Sequence, residues 1–108
     1  MKEVSVDATG VRFSVLRGGK EVGHAYLYML NNDLHNKPFG LLEDVYVDSN
    51  YRGEGVATEL LEAVLKKAQE KCYKLIATSR NDGTRTAVHE WYTRLGFDNY
   101  GTEFRLNF

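Results

Sequence analysis

Cysteine, proline and an excess of charge are nearly absent from this sequence. Among 108 residues there is one cysteine, Cys72, and one proline, Pro38. A lone cysteine excludes an internal disulfide framework, and no set of Cys and His has the spacing of a zinc site. Lys and Arg total 14 against 15 Asp and Glu, which gives a net charge of −1. Such a balance gives no electrostatic footprint for nucleic acid or for an anionic membrane surface.

Long apolar runs are missing as well. No stretch approaches the ~20 apolar residues that a membrane span needs. The charged N-terminus lacks the apolar stretch of a signal peptide, so we expect a cytoplasmic protein. The length predicts one domain over residues 1–108, and 43% apolar with 27% charged residues is typical of a globular chain.

The first half of the sequence predicts β-strands, and residues 8–10 are turn-like. Paired glycines at Gly18 and Gly19 indicate a tight hairpin, because they supply the positive φ that such turns need. The predicted strand at residues 11–16 has an alternating pattern, which places Val11, Phe13 and Val15 on one face. The last strand of this half is a nearly continuous apolar run, typical of a strand buried on both faces. The predicted strands cover residues 2–6, 11–16, 21–30 and 39–47.

The second half predicts two helices among further strands. Residues 53–71 form the clearer helix, since one helical face carries Ala57, Leu60, Leu61, Val64, Leu65 and Ala68. Residues 84–95 form the second helix, which Gly96 ends. Strands are predicted at residues 73–79, 97–100 and 103–108. The fold class is therefore α/β, a mixed sheet flanked by two main helices, with a central parallel pair bridged by a right-handed crossover.

A strand-loop-helix segment at residues 45–57 carries the clearest chemical signal. The loop and the start of the helix contain small residues at Gly53, Gly55 and Ala57. Small residues let a ligand approach the backbone, and the unpaired N–H groups of a first helical turn suit a phosphate. The segment is neither a Walker loop nor a dinucleotide fingerprint, because the Gly-Lys-Ser/Thr sequence and the third glycine are missing. A tight turn without a ligand is the alternative interpretation.

Two motifs resemble those of the GNAT N-acetyltransferase superfamily. The first, RGEGVA from Arg52 to Ala57, matches the pattern Arg/Gln-x-x-Gly-x-Gly/Ala between a strand and a helix. The second, WYTRLGF from Trp91 to Phe97, is similar to the aromatic-Tyr-x-x-Leu-Gly-Phe ending of the family's fourth helix. The resemblance implies a GNAT-like acyl-CoA N-acyltransferase fold and an acetyl-CoA-dependent N-acetyltransferase.

By this resemblance, acetyl-CoA is the co-substrate and no metal takes part. The acetyl group moves to a primary amine by direct attack, and a backbone N–H near Val45 stabilises the oxyanion. Two central parallel strands splay apart, and the pantetheine arm lies in the gap. The residues implied to bind the co-substrate lie at the end of the strand and in the loop: Val45, Tyr46, Val47, Arg52, Gly53, Glu54, Gly55, Val56, Ala57 and Thr58.

Catalytic roles are implied for a tyrosine and a carboxylate. Tyr92 falls on the family's tyrosine position and would protonate the leaving sulfur, and a packing aromatic beside Trp91 is the alternative. Glu43 is the preferred general base and Asp44 the second candidate. Because adjacent strand residues face opposite ways, only one of the two acids is expected to point into the site. An acid paired with a nearby arginine is the other interpretation.

Further residues near the second helix are assigned to the site, each with an alternative. Arg85 stands where the family commonly has an asparagine. It could contact the co-substrate or an acidic acceptor, or form a surface pair with Asp82. Ser79 and Arg80 follow a central strand, where acceptors of the family enter. His89, four residues after Arg85 on the same helical face, is an alternative base or a structural histidine.

Two other functions stay open at this point. One is a regulatory module that binds acyl-CoA and acts on a protein partner without turnover. The other is an unrelated α/β domain that binds phosphate. The chain resembles a minimal family member, because only residues 7–10 separate the first two predicted strands, where the family usually has two helices. We therefore expect an open acceptor cleft, suited to a large or flexible acceptor or one completed by a partner chain. The acceptor itself is expected to be a small-molecule or protein amine. Phe104, Leu106 and Phe108 in the last strand could pair across a homodimer.

Overall fold

Four strands and two helices make up the regular structure of the computed structural model, which describes all 108 residues. In chain order they are β1 (Ala8–Arg17), β2 (Lys20–Leu30), β3 (Phe39–Val47), a short 3₁₀ helix (Ser49–Tyr51), α1 (Val56–Lys71), β4 (Leu75–Ala77) and α2 (Thr86–Arg94). The strands lie in the order β1-β2-β3-β4 in one sheet. The β1–β2 and β2–β3 pairs are antiparallel and the β3–β4 pair is parallel. The α/β class with a mixed sheet and two helices is confirmed.

The hairpin between β1 and β2 forms as predicted. Gly18 and Gly19 both have positive φ, 58° and 79°. A two-residue hairpin with positive φ at both central positions matches the twist of the flanking strands, and glycine adopts it without steric cost. The two longest strands of the sheet are therefore joined by the shortest common connection.

The core lies between α1 and one face of β1, β2 and β3. Leu60, Leu61 and Val64 of α1 are at most 1% exposed, and Ala25 and Leu27 of β2 are fully buried against them. Burial of one such leucine is worth about 1.5–3 kcal/mol relative to an exposed one. The predicted apolar face of the helix is correct in its main residues. The helix begins later than expected, however, and its first buried residue is a valine rather than the predicted alanine.

Gly23 of β2 lets the start of α1 come close to the sheet. A Cβ at this position would lie 2.6 Å from Cγ1 of Val56 and 3.3 Å from Cδ1 of Leu60. It would also lie 3.1 Å from the backbone oxygen of Tyr46 on β3. The missing side chain therefore sets where the first turn of α1 packs, close to the end of β3.

An irregularity in β2 changes which side chains face the core. Val15 pairs with Gly23, but Leu16 pairs with Glu21, so Val22 is an extra residue in the ladder. Val22 is 1% exposed and joins the core, while the side chain of Glu21 lies with Leu16 on the opposite face. Without the bulge, simple alternation would exchange the positions of these two β2 residues.

Several sequence predictions at the ends of the chain are wrong. Residues 2–6 form no strand, and residues 8–10 belong to β1 instead of a turn, because Ala8 pairs with Leu30 and Gly10 with Tyr28. The long antiparallel ladder overrides the turn tendency of the local sequence. Residues 97–108 form no strands, because an alternating sequence makes a strand only where a ladder partner is present. The parallel pair consequently lies at an edge of the sheet rather than at its centre.

Contacts divide the chain into two compact units, Met1–Ala77 and Thr78–Phe108, and each is described by itself. The first contains the sheet and α1, and the second contains α2. The expectation of one domain over residues 1–108 stays a prediction. Neither helix combines the length and the apolar character that crossing a membrane requires.

The end of α2 in the second unit has the hydrogen bonds of a Schellman cap. Gly96 has φ 98° and donates its N–H to the oxygen of Thr93 at 3.0 Å. Phe97 donates its N–H to the oxygen of Tyr92 at 3.0 Å, and the two rings lie 5.2 Å apart. This pair of bonds with an accompanying apolar contact ends a helix at a glycine. The prediction that Gly96 ends the second helix is confirmed.

We expect Gly23→Ala to lower the free energy of unfolding by about 1–3 kcal/mol, because the new methyl group overpacks against Val56 and backbone. The matched control is Gly101→Ala, where a Cβ meets nothing within 4 Å. We expect the control to stay within about 0.5 kcal/mol of the parent chain. Urea unfolding followed by circular dichroism measures both, and equal stability of the two variants would contradict the packing argument.

Candidate active site

The last five residues of β3 have a strand partner on one side only. The ladder with β4 joins Gly40–Leu42 to Leu75–Ala77 and stops there. Residues 43–47 continue along β2, but they have no partner on the β4 side. The backbone groups on that side can therefore bond an extended ligand in the way an added strand would. The predicted opening beside Val45, Tyr46 and Val47 is present in the first unit.

A β-bulge interrupts β3 just where this open edge begins. Tyr26 pairs with Glu43 and His24 pairs with Tyr46, so Asp44 and Val45 together oppose one residue of β2. Asp44 has φ 50°, the one positive value outside glycine in the chain. Aspartate is among the few residues that adopt the left-handed region readily. The bulge frees the backbone at Val45 from regular pairing.

The bulge also shifts the alternation of burial along β3. Before it, Gly40 and Leu42 are buried, and after it Val45 and Val47 are the less exposed positions. The argument that neighbouring strand residues face opposite ways therefore does not hold at residues 43–44. Neither Glu43 nor Asp44 is excluded as a base by strand alternation, which corrects the expectation drawn from the sequence.

The loop after β3 leaves backbone N–H groups open at the start of α1. Gly53 and Gly55 have φ of 82° and 80°, and a Cβ at either would meet nothing within 4 Å. The first intrahelical bond runs from the N–H of Glu59 to the oxygen of Gly55, and no side chain caps the helix. The N–H groups of Val56, Ala57 and Thr58 therefore precede the helical ladder. This cradle fits a phosphate or pyrophosphate.

The side chains of Asp48 and Arg52 bond to the backbone between the end of β3 and this loop. The carboxylate of Asp48 accepts the N–H of Asn50 at 3.0 Å, which lowers the pKa of Asp48, and Lys20 Nζ lies 3.4 Å from it. Arg52 is exposed and its Nε lies 3.4 Å from the oxygen of Val47, so its charge stays at the end of β3. Glu54 is exposed in the same loop and brings the opposite charge.

A cluster of polar and aromatic residues lies on the face of the sheet opposite α1, here called the outer face. Arg12 Nη2 lies 2.5 Å from Glu21 Oε2, and Arg12 also donates to the hydroxyl of Tyr26. The guanidinium lowers the pKa of the Glu21 carboxyl, and the carboxylate raises the pKa of Arg12. His24 Nδ1 lies 3.3 Å from Arg12 Nη2 and 3.7 Å from Glu21 Oε2.

An open depression of about 580 Å³ lies on the outer face, lined by Arg12, His24, Tyr26, Asp44, Val45 and Tyr46. From the sequence, His24 indicated nothing specific. The signal that could have found it is strand register, because residues far apart in sequence become neighbours only once β1, β2 and β3 are paired.

In the second unit, the ring of Tyr92 takes part in the end of α2. It lies 5.8 Å from the ring of Trp91 and 5.2 Å from that of Phe97, and it is half-buried. The packing interpretation therefore accounts for the ring. The acid role of the Tyr92 hydroxyl stays a prediction from its motif.

The other predicted residues of the second unit lie along α2 and the segment before it. Arg85 is the exposed N-cap of α2, and no ion pair joins it to Asp82. Asp82 instead accepts the N–H and the hydroxyl of Thr84 at 2.9 and 2.5 Å, which lowers the pKa of Asp82. His89 is half-buried one turn into α2. Ser79 and Arg80 are both exposed in the segment after β4.

Cys72, just after α1, is buried, with 8% of its surface exposed. Burial raises the pKa of its thiol, although the charge of Lys37 acts in the opposite direction. A raised pKa keeps the sulfur protonated near neutral pH, and a thiol is a poor nucleophile in that form.

The sequence profile of the acetyltransferase (GNAT) family matches residues 3–97, which include the open strand edge, the bulge, the loop and both sequence motifs. The chain belongs to this family. The resemblance predicted from Arg52–Ala57 and Trp91–Phe97 is therefore confirmed. The open strand edge of β3 and the N–H cradle of α1 both lie within the region that the family profile matches.

Known proteins of this class resemble the chain over most of its length. It is 30% identical to a glucosamine 6-phosphate N-acetyltransferase of Trypanosoma brucei brucei over 92 aligned residues. The aligned region covers 84% of this chain and 48% of the relative. The chain thus spans about half the length of that curated relative.

Two solved structures share the fold. An acetyltransferase of Trypanosoma brucei superposes with a TM-score of 0.76 at 27% identity, over 94% of this chain and 69% of that one. A glucosamine-6-phosphate N-acetyltransferase of Arabidopsis thaliana gives a TM-score of 0.79 at 22% identity, over 92% and 67%. At 22% identity, the similarity to the Arabidopsis thaliana structure shows a shared fold and nothing more.

Proposed function

We propose that this chain transfers the acetyl group of acetyl-CoA to a primary amine by direct attack. The observation that carries the proposal is the path of β3. This strand loses its β4 partner after Leu42, bulges at Asp44 and runs into the N–H cradle of α1. An open strand edge and an anion cradle in succession suit a long ligand with amide groups at one end and phosphates at the other.

All but one of the residues that would hold acetyl-CoA lie in the first unit. Acetyl-CoA supplies an acetyl thioester, whose carbonyl carbon is the electrophile. The edge of residues 43–47 would bond the amides of the pantetheine arm. Gly53, Gly55 and the first turn of α1 would bind the pyrophosphate through N–H groups, and Arg52 adds a positive charge. Arg85, in the second unit, is a further candidate only by its position in the family pattern, and its alternative partner Asp82 is bonded to Thr84 instead.

The chemistry needs three groups from the chain. The amine nitrogen forms a C–N bond to the carbonyl carbon as the C–S bond breaks. Glu43 takes the proton that the attacking amine loses, with Asp44 as the second candidate. The N–H of Val45, freed by the bulge, donates to the carbonyl oxygen as negative charge develops on it. Tyr92, by its position in the motif, gives its proton to the leaving sulfur.

The acceptor is proposed only as a primary amine. The Trypanosoma brucei brucei relative is named for glucosamine 6-phosphate, so an amino sugar phosphate is one candidate. A protein amine is another, since the depression beside Val45 is open to solvent.

Calorimetry with acetyl-CoA and with ATP, followed by thiol release in the presence of an amine panel, tests the proposal. We expect acetyl-CoA to bind, ATP not to compete, and free thiol to appear with at least one amine. Tight acetyl-CoA binding without turnover on any small amine or protein lysine would instead identify a regulatory module. Binding of ATP but not of acetyl-CoA would overturn the acetyltransferase proposal.

We expect Glu43→Gln to lower kcat/KM by about 100-fold at pH 7, because a general base contributes at least that much. The deficit should shrink as the pH rises toward the amine pKa of about 10, since the acceptor then arrives already deprotonated.

Two further variants make the Glu43 result specific. Glu62→Gln on the exposed side of α1 is the matched control and should leave the rate unchanged. Asp44→Asn keeps a side chain that tolerates positive φ while removing the charge. A pH-dependent loss in Asp44→Asn, with full activity in Glu43→Gln, would transfer the role of base to Asp44.

We expect Tyr92→Phe to lower kcat by about 100-fold while KM stays the same, because the variant keeps the ring and removes the acidic hydroxyl. The ring contacts with Trp91 and Phe97 survive in this variant. Tyr100→Phe is the control in the same unit, since Tyr100 is 96% exposed. Steady-state kinetics measure both, and an unchanged kcat in Tyr92→Phe would reduce Tyr92 to a packing residue.

A further inference from the structure

The outer face of the sheet carries a row of four aromatic rings. Ring centroids are 5.5 Å apart between Tyr46 and His24, 5.8 Å between His24 and Tyr26, and 6.1 Å between Tyr26 and Tyr28. Tyr46 is 52% exposed and Tyr28 is 36% exposed. The row therefore presents ring faces and edges to solvent across β2 and β3.

The charges on this face are unbalanced. Arg12 is the one Lys or Arg among the residues that line the depression, and it is already paired with Glu21. Glu43, which pairs with Tyr26 in the ladder, and Asp44, which lines the depression, form no ion pair. The depression therefore contains the carboxylate of Asp44, with Glu43 next to it in the sequence, and neither acid is held in an ion pair.

The ring row adjoins the point where the proposed reaction takes place. Val45, the proposed oxyanion donor, lines the same depression as His24, Tyr26 and Tyr46. An acceptor whose amine lies at Val45 would extend its remaining atoms over the rings. The chemistry of this face therefore bears on which acceptor is chosen.

We propose that the outer face selects acceptor amines that carry a second positive charge. The second ammonium lies against the face of Tyr46 and beside the carboxylate of Asp44. Aromatic faces attract cations through the ring quadrupole, and uncompensated carboxylates add to that attraction. Tyr26 is less available for this role, because the guanidinium of Arg12 already lies 5.2 Å from its ring centroid. This inference rests on the proposed function.

The same charges disfavour a phosphorylated acceptor. A phosphate on the outer face would approach Glu43 and Asp44, and like charges repel. The charge of Arg12 is already shared with Glu21, and three of its five N–H donors are used by Glu21 and the hydroxyl of Tyr26, so it is less available to a phosphate. A diamine avoids both costs.

Turnover of matched acceptors tests the selection. Cadaverine and n-pentylamine have the same carbon chain and differ by one ammonium, and glucosamine 6-phosphate supplies the anionic comparison. We expect kcat/KM to be highest for cadaverine. The ratio of cadaverine to n-pentylamine should fall about two- to five-fold in Tyr46→Leu and in Asp44→Asn. A role of Asp44 as base would lower both rates and leave this ratio unchanged.

Two control variants test whether the change in the ratio is due to the ring of Tyr46 and to the charge of Asp44. Tyr46→Phe keeps the ring and should keep the ratio. Glu62→Gln removes a carboxylate from α1, on the other side of the sheet, and should also keep it. A ratio that does not move in Tyr46→Leu and Asp44→Asn, or a preference for glucosamine 6-phosphate, would overturn the inference while the acetyltransferase proposal stands.

Calorimetry with cadaverine alone separates this inference from the proposed function. We expect cadaverine to bind the chain, and to bind about two- to five-fold more weakly to Asp44→Asn, with or without acetyl-CoA. Binding of this kind without turnover of any amine would support the cation surface and count against the acetyltransferase proposal. Equal binding of cadaverine and n-pentylamine to the parent chain would overturn the inference.

Discussion

The close contact between α1 and β2 at Gly23 is the constraint on which the site of the first unit depends. The first turn of α1 packs against β2 only because no side chain stands at this position. That contact places the start of α1 next to the end of β3, and residues 48–55 form the loop between them. The N–H groups at the start of α1 and the open edge of β3 thus lie close together, because Val56 of α1 and the backbone of Tyr46 of β3 both approach Gly23.

The bulge at Asp44 supplies the groups that the proposed acetyl transfer uses at this surface. In a regular β3, every backbone group that points toward β2 would be paired with it. Successive side chains would also point to opposite faces of the sheet without interruption. The extra residue releases Val45 from that pattern, and it removes the strict alternation of faces between Glu43 and Asp44. A positive φ at a residue other than glycine costs free energy, and such strain persists only where the surrounding ladder fixes it. Here β2 fixes it from both sides of the bulge.

Periodicity and turn chemistry were enough to predict the hairpin, β2, β3 and the amphipathic helix, because these depend on local sequence and one buried face. The motif from Arg52 to Ala57 predicted the loop for the same reason, since glycine adopts the positive φ found at Gly53 and Gly55 without steric cost. The two bulges could not be predicted, because each depends on register between strands rather than on either strand alone. The cluster of Arg12, Glu21 and His24 was missed for that reason as well.

The motif at the end of α2 shows how a family signature combines two kinds of constraint. Gly96 is needed for its φ of 98°, and Phe97 packs on Tyr92 to complete the cap. A tyrosine or a phenylalanine would provide that ring contact equally well. The cap therefore explains the aromatic character of position 92. Proton transfer to the leaving sulfur, as proposed, adds a requirement for the hydroxyl, because phenylalanine has no proton to give.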